Sequence, residues 1–398
     1  MKQVELTDVL IIGSGPAGMS TALHLVQAAP GWAGRLVVVD KAVHPREKLC
    51  GGGVTRPGED ILAGLELPFE PRHVAVREVH FVYGEQRFAV YDEPVFRVVR
   101  RAEFDRWLME QGRQRGIIVR QGEAVQDIRP GPDYVEVVTG RTIFHARVVV
   151  AADGSRSTVR QKLQWADPAR MARLLEVLTP EAAAERIEFQ AGIATFDFSP
   201  MATGLQGYYW DFPSLVEGQP FMNRGLFDSR ARPERPRAAL KQTLRQALAQ
   251  RERNLDDYDL KGHPIFWFDR REDLARPRII LAGDAAGVDP LLGEGISFAL
   301  GYGQVAAAAI IEAFARQDFS FADYRGRVLG HPLLSQLRLR ARLARLVYRF
   351  QSPRLLRFGW GLAPLLLGCL ARYNPRCVPV QSPRLVRLSR AREPYARR

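Results

Sequence analysis

Val9-Leu10-Ile11-Ile12-Gly13-Ser14-Gly15-Pro16-Ala17-Gly18 decides the fold of this chain. Four consecutive apolar residues predict a short buried strand. Gly13 predicts the tight turn that follows. Gly15 lets backbone approach a pyrophosphate, and Gly18 lets the next helix pack close to the strand. That helix continues through 21–27 and aims its N-terminal N–H groups at phosphates. A second strand, Leu36-Val37-Val38-Val39, ends in Asp40. Asp40 lies about as far from the glycines as a carboxylate that binds a ribose hydroxyl. The fold class expected is α/β, with a Rossmann-type dinucleotide-binding domain.

Two later stretches belong to the same reading. Ala152-Asp153-Gly154-Ser155-Arg156-Ser157-Thr158-Val159-Arg160 follows the apolar run Val148-Val149-Val150. Ile279-Ile280-Leu281-Ala282-Gly283-Asp284 follows later, with Pro290 and Gly293-Glu294-Gly295 close behind. Asp284 ends an apolar strand and can accept hydrogen bonds from ligand hydroxyls. A helix starting near Gly293–Gly295 directs its positive end at the same place.

Between these stretches the periodicity changes. Val79-His80-Phe81-Val82-Tyr83 and Arg87-Phe88-Ala89-Val90-Tyr91 flank Gly84-Glu85 and predict a hairpin in a second sheet. A helix is expected over 101–115, then strands at 117–119, 134–138 and 146–150. Further strands are expected at 186–189, 191–198, 207–212 and 221–227, interrupted by a helix at about 235–252. The domains expected are a discontinuous nucleotide-binding domain (1–75, 99–164 and 271–330), an antiparallel substrate domain (76–98 and 165–270) and a basic helical region (331–398).

A chain of 398 residues, 46% of them hydrophobic, can bury a sizeable core. Its three cysteines, Cys50, Cys369 and Cys377, have no metal-ligand spacing. A reducing compartment and no metal are expected. The short polar start, 1–7, is not a signal peptide, and no run reaches the ~18 apolar residues of a membrane span. The formal charge of +13 is unevenly placed. Residues 325–398 hold 17 arginines and one acid, Glu393, for a net +16, which leaves −3 for the first 324. Within this tail Leu339, Leu343, Leu346, Val347 and Phe350 form one helical stripe, and Arg338, Arg342, Arg345 and Arg349 a second beside it. An uncharged segment, 358–370, follows. Two readings stand at this point: an interfacial helix on anionic lipid, inserting Phe358, Trp360 and 365–367, or a packed helix pair with a solvated basic face. The tail lacks the interleaved aromatics of a nucleic-acid platform, so no nucleic acid is expected.

Together the three motifs resemble the para-hydroxybenzoate hydroxylase-type flavoproteins over about residues 8–330. That group includes aromatic hydroxylases, flavin halogenases, lycopene cyclases and geranylgeranyl reductases. Pro45-Arg46-Glu47-Lys48-Leu49-Cys50-Gly51-Gly52-Gly53 is similar to the PxxKxCGGG stretch of the geranylgeranyl reductase family. Gly207-Tyr208-Tyr209-Trp210-Asp211-Phe212-Pro213 resembles that family's YxWxFP stretch, although Ser214 replaces the usual lysine. The halogenase GWxWxIP pattern is absent.

The resemblance implies FAD, with Gly13, Gly15, Pro16, Ala17 and Gly18 at its pyrophosphate and Asp40 and Lys41 at the adenosine ribose. It implies Gly283 and Asp284 at the ribityl-pyrophosphate region and Arg101, or alternatively Arg100, nearby. Arg46, Cys50, Gly51, Gly52, Asp153, Gly154, Pro290, Gly293, Gly295 and Ile296 complete the implied cofactor set. The implied reaction is hydride transfer from reduced flavin to an isoprenoid C=C bond, with NAD(P)H or a ferredoxin-type protein as electron donor. Cys50 and the Gly293-Glu294-Gly295 turn are the implied catalytic elements, and Tyr208, Trp210 and Phe212 the implied lining of the apolar substrate pocket. The alternatives are an FAD-dependent monooxygenase (hydroxylase) of an aromatic or polyketide-like substrate and a non-catalytic flavoprotein docked through its tail. A cytoplasmic monomer, peripheral on the inner face of an anionic membrane, is expected.

Overall fold

The computed structural model describes residues 2–165, 170–182, 186–350 and 352–361, and the backbone of 378–380. Cys369, Cys377 and the apolar residues 362–370 lie outside the described residues.

Gln3–Ile12 is the central strand of the first sheet. Leu36–Asp40 and Thr142–Ala151 flank it in parallel, because their Val-rich runs are buried on both faces. Ile118–Gln121 and Ile279–Leu281 extend the sheet on either side. The parallel order 279–281, 142–151, 3–12, 36–40, 118–121 brings the carboxyl ends of four motif-bearing strands to one edge. Ligands of open α/β sheets bind at that edge.

Two helices cover this sheet near the ligand edge. Pro16–Ala28 starts directly after the glycine turn, and Ile296–Arg316 packs against it. A Cβ on Gly303 would lie 2.4 Å from the Ser20 Cβ, so the two backbones touch where both residues are small. Ser20 donates to the Leu300 carbonyl at 2.7 Å across this contact. Ile296–Arg316 is long and apolar enough to cross a membrane by composition, but most of it is buried here as a core helix.

The second sheet runs in the order Lys261–Phe266, Met171–Pro180, Gln219–Asp228, Gly207–Val216, Ile193–Asp197, His73–Tyr83, Gln86–Val99, with Val378–Val380 pairing at the end. It is antiparallel except for the pair of Ile193–Asp197 with His73–Tyr83. Gly53–Thr55 joins it through Gln86–Val99, so the second sheet already begins within the stretch assigned above to the first domain.

Three sequence expectations differ from the structure. The segment expected as a strand at 186–189 is a short helix, Ile187–Ala191, closed by Gly192 in the left-handed region (φ 65°). Met171–Pro180, which carried no strand signal, is a central strand. The C-terminal helix Gln336–Val347 faces the other way from its leucine stripe. It buries Leu337, Ala341 and Ala344, followed by Tyr348, while Leu339, Leu346 and Val347 are exposed. The small alanines let this helix approach the aromatic core, which the larger leucines would hold off.

Candidate active site at the junction of the two sheets

A cavity of about 660 Å³ lies along the carboxyl edge of the first sheet and beneath the second. Its walls include Gly13, Gly15, Pro16, Ala17, Asp40, Lys41, Arg46, Cys50, Gly51, Arg101, Asp153, Gly154, Gly283, Asp284, Gly293, Gly295 and Ile296. Three motifs separated by more than a hundred residues each thus meet in one wall.

The local physics of this wall suits a dinucleotide. Gly13 has φ 107°, and a Cβ there would sit 2.3 Å from the Ala152 carbonyl oxygen. Only glycine lets motifs one and two touch. Pro16–Ala28 and Ile296–Arg316 both start at a glycine, Gly15 and Gly295, with no side-chain cap. Two helix N-termini with uncapped N–H groups therefore open on one cavity, a ready anion site. Arg46 and Arg101 stand beside Gly15. Asp105, fully buried, bonds Arg101 twice at 2.7 Å and holds Arg46 at 3.0 Å. Burial works against the Arg101 charge, but the Asp105 carboxylate outweighs it and keeps this guanidinium cationic. Asp153 Oδ1 is buried with no partner among the described residues, an acceptor free for a ligand donor. These features fit the pyrophosphate and hydroxyls of FAD.

Asp40 accepts from the Ser14 N–H at 2.8 Å, the Ser14 hydroxyl at 2.7 Å and the Ala42 N–H at 2.8 Å. Burial alone would raise its pKa; the Ala42 and Ser14 hydrogen bonds overcome this and lower it. The carboxylate is ionised and held rigid at the end of its strand, next to Glu123, Ala124 and Val125 in the cavity wall.

Other expected site residues lie behind the wall. A Cβ on Gly18 would meet the Gly13 carbonyl oxygen at 1.9 Å, so this glycine serves helix packing and does not reach the cavity. Gly52 packs against Val99, and the Pro290 carbonyl accepts from Ser229 at 2.6 Å. Glu294 points away, bonded to Thr55 at 2.6 Å and to Arg340 at 2.8 Å. Arg100, the alternative to Arg101, pairs with Glu47 at 2.8 Å and is not in the wall. Tyr208, Trp210 and Phe212 are buried in an aromatic cluster with Phe96, Phe196, Phe198 and Phe227, and none of the three lines the cavity. The stretch reads as a pocket from its aromatics, but the sheet turns those rings into core.

The second sheet lines the cavity with Leu174, Lys261, Gly262, His263 and Ile265, and from behind the wall its polar side chains hold the Cys50 loop. Cys50 N–H donates to Glu176 Oε2 at 2.9 Å, and the Cys50 carbonyl accepts from Asn223 Nδ2 at 2.9 Å. Asn223 Oδ1 in turn accepts from Trp210 Nε1 at 2.8 Å. The two peptide groups that flank the Cys50 Cα are thus each gripped by a side chain of the sheet. Burial pushes the Glu176 carboxyl up to about 7, with Arg100 opposing. Burial also raises the Cys50 thiol, and the nearby Arg101 charge offsets only part of this, so the thiol keeps its proton at neutral pH. Lys48 Nζ lies 2.6 Å from His263 Nε2 and 3.8 Å from Asp284, and the Ser155 hydroxyl is 2.9 Å from the same His263 nitrogen. Burial and the Lys48 charge depress His263 to about 4, leaving a neutral ring.

Lys48, His263, Glu176 and Asn223 are absent from the site residues expected from the sequence. Lys48 sits in the PxxKxCGGG stretch and was legible there. The other three are single polar residues on strands, with no local signal.

The FAD binding domain family model matches residues 6–301. A menaquinone reductase of Mycolicibacterium smegmatis is 30% identical over 328 residues, 75% of each chain. Digeranylgeranylglycerophospholipid reductase 3 of Methanosphaera stadtmanae is 24% identical, over 85% of this chain and 87% of that one. A geranylgeranyl bacteriochlorophyll reductase-like structure from Thermoplasma acidophilum superposes with a TM-score of 0.70 at 19% identity, covering 89% and 90% of the two chains. Fold neighbours extend to p-nitrophenol 4-monooxygenase from Pseudomonas putida, with a TM-score of 0.68 at 19% identity over 94% and 98%. With its motifs gathered in one cavity and residues 6–301 matched, the chain belongs to the FAD binding domain family and is an FAD-dependent oxidoreductase of the geranylgeranyl reductase and menaquinone reductase type.

Proposed function

We propose that this protein reduces carbon–carbon double bonds in the prenyl chain of a lipid. One observation carries the choice. The cavity continues past Ser155, Arg156, Leu174, Gly262 and His263 into an open groove lined mainly by Met171, Leu175, Leu240, Pro264 and Phe266, with Gln161 and Arg173 also in its wall. A long apolar chain gains by covering such a groove, whereas a compact aromatic acid does not need it. Relatives named for menaquinone and for a digeranylgeranyl lipid support the same class, since both molecules carry isoprenoid chains.

FAD, when bound and reduced, would supply the hydride, and a proton must reach the other carbon of the bond. Gly13, Gly15, Arg46 and Arg101 would hold the pyrophosphate, and Asp40 would orient the adenosine end. Glu176 and Asn223 fix the Cys50 peptide, and the Cys50 thiol, protonated at neutral pH, donates the proton from Sγ. NAD(P)H or a ferredoxin-type protein delivers the electrons.

The test incubates FAD-loaded, anaerobically reduced protein with geranylgeranyl-bearing lipids and analyses the extract by mass spectrometry. The expected product gains one H2 per double bond, with NADPH or reduced ferredoxin replacing the chemical reductant in parallel reactions. Cys50→Ala should lower turnover more than flavin content. The Lys48–His263–Ser155 cluster favours a second reading, a monooxygenase of a polar aromatic substrate. That enzyme would incorporate oxygen and consume it on substrate addition, with no saturation of a C=C bond.

A further inference from the structure

Among the described residues, the basic C-terminal region contributes nothing to the cavity wall, yet it is bound to the loop behind it. Arg340 bridges Asp289 at 2.7 Å and Glu294 at 2.8 Å. Tyr348 donates its hydroxyl to the Leu291 carbonyl at 2.5 Å. Trp360 stacks among Tyr83, Phe88 and Phe198, with ring centroids 6.1, 5.3 and 5.0 Å away. Contrary to the sequence expectation for Trp360, this ring belongs to the body of the protein and is not free to insert elsewhere. Among the described residues, Arg340, Tyr348 and Trp360 thus tie the inward face of the region to the body.

Its outward face is different. Leu339, Leu346, Val347, Phe350, Leu355 and Phe358 are all exposed, Leu346 by 54% and Phe358 by 70%. Among the described residues, six of the fourteen exposed large hydrophobics thus fall within twenty positions, so they make a patch and not a scatter. Arg338, Arg342, Arg345 and Arg349 run beside the leucines on the helix, and Arg354 and Arg357 continue the pattern. No acidic residue occurs from 325 to 361, and among the described residues none of these six arginines has an ion-pair partner. Buried aliphatic bulk would suit a protein core, and bare guanidinium groups would suit any anion. An apolar stripe with cations along its flank suits the plane between lipid headgroups and acyl chains.

We propose that this outward face docks on an anionic phospholipid bilayer. The leucines and phenylalanines enter the headgroup boundary, and the flanking arginines meet lipid phosphates. The cytoplasmic leaflet, the anionic one, is the matching surface. Nucleic acid would engage the arginines but leave the apolar stripe in water. The inference rests on no part of the reductase reading, because docking needs no turnover.

The experiment is co-sedimentation of the full-length FAD-loaded protein with vesicles of phosphatidylcholine alone or with phosphatidylglycerol added. Binding should rise roughly ten-fold or more with the acidic lipid and fall at high salt. Leu346→Ser with Phe358→Ser removes bulk and keeps charge; Arg345→Gln with Arg349→Gln removes charge and keeps bulk. Each pair should weaken binding several-fold while flavin content and melting temperature stay unchanged. If either pair loses flavin, Leu339→Ser with Leu355→Ser and Arg338→Gln with Arg342→Gln take their places. Binding that is indifferent to lipid charge, or equal in the serine variants and the parent, would overturn the proposal. So would tighter binding to an oligonucleotide that the serine variants leave unaltered.

Discussion

The two sheets build their halves of the cavity in different ways. The first sheet uses backbone: glycine turns, uncapped helix starts and strand ends. The second sheet uses side chains: Glu176, Asn223 and His263 reach across from strands to hold or face the loop from 45 to 52. Backbone devices admit only one residue type and leave a local pattern. Side-chain devices depend on which strands become neighbours, and leave none.

The largest effect should come from breaking the backbone half. Gly13→Ala places a Cβ 2.3 Å from a backbone oxygen in a left-handed conformation. A loss of about 3 kcal/mol in stability or more is expected, with no FAD retained. Thermal melting and flavin absorbance of the purified variant check this, and a yellow, normally stable Gly13→Ala would refute the close contact of motifs one and two.

An intermediate effect should follow from Asp105→Asn, which leaves the fold of the wall in place but frees two guanidinium groups. Removing one partner of a buried ion pair costs roughly 3–5 kcal/mol, part of it here as lost cofactor affinity. FAD titration should show an affinity lower by about ten-fold or more, and an unaltered titration would mean that Arg46 and Arg101 do not hold the cofactor.

The smallest effect on cofactor content, and the sharpest test of the side-chain half, is Glu176→Gln. Glu176 has a folded pKa raised to about 7 from an ordinary carboxyl near 4.5. Between these values the folded state binds the proton more tightly than the unfolded state. The contribution of this group to stability is therefore full below about 4.5 and is lost as pH rises through about 7. Glutamine should abolish that slope in melting temperature, retain FAD and shift the pH profile of turnover. An unchanged slope in the variant would mean that another group titrates there.

Much of the first sheet was legible because its signals are local: apolar runs, glycines and Asp40 fall at set spacings. Gly18 was assigned to the cofactor although its other role, helix packing, is the one it fills. Met171–Pro180 escaped because Leu174-Leu175-Glu176 breaks the alternation of a half-buried strand. Its acid is buried for the sake of the Cys50 amide, a partner 126 positions away. Tyr208, Trp210 and Phe212 gave an aromatic signal that core and pocket share, and only the packing distinguishes the two. The C-terminal helix inverted its apparent faces because the binding partner of its inner side is an already crowded aromatic cluster, which accepts alanine in preference to leucine.

Two helices that begin uncapped beside Arg46 and Arg101 have a consequence for how the protein persists. Asp105 balances one of the two guanidinium charges at that edge, and a bound anion would balance the other and the helix starts, so the cofactor acts as a folding ligand by mass action. Free FAD at a hundred-fold above its dissociation constant would add about 2.7 kcal/mol to the stability of the folded state. Marginal stability makes such an increment a large share of the total. The abundance of this protein should then follow the supply of flavin as well as the expression of its own chain.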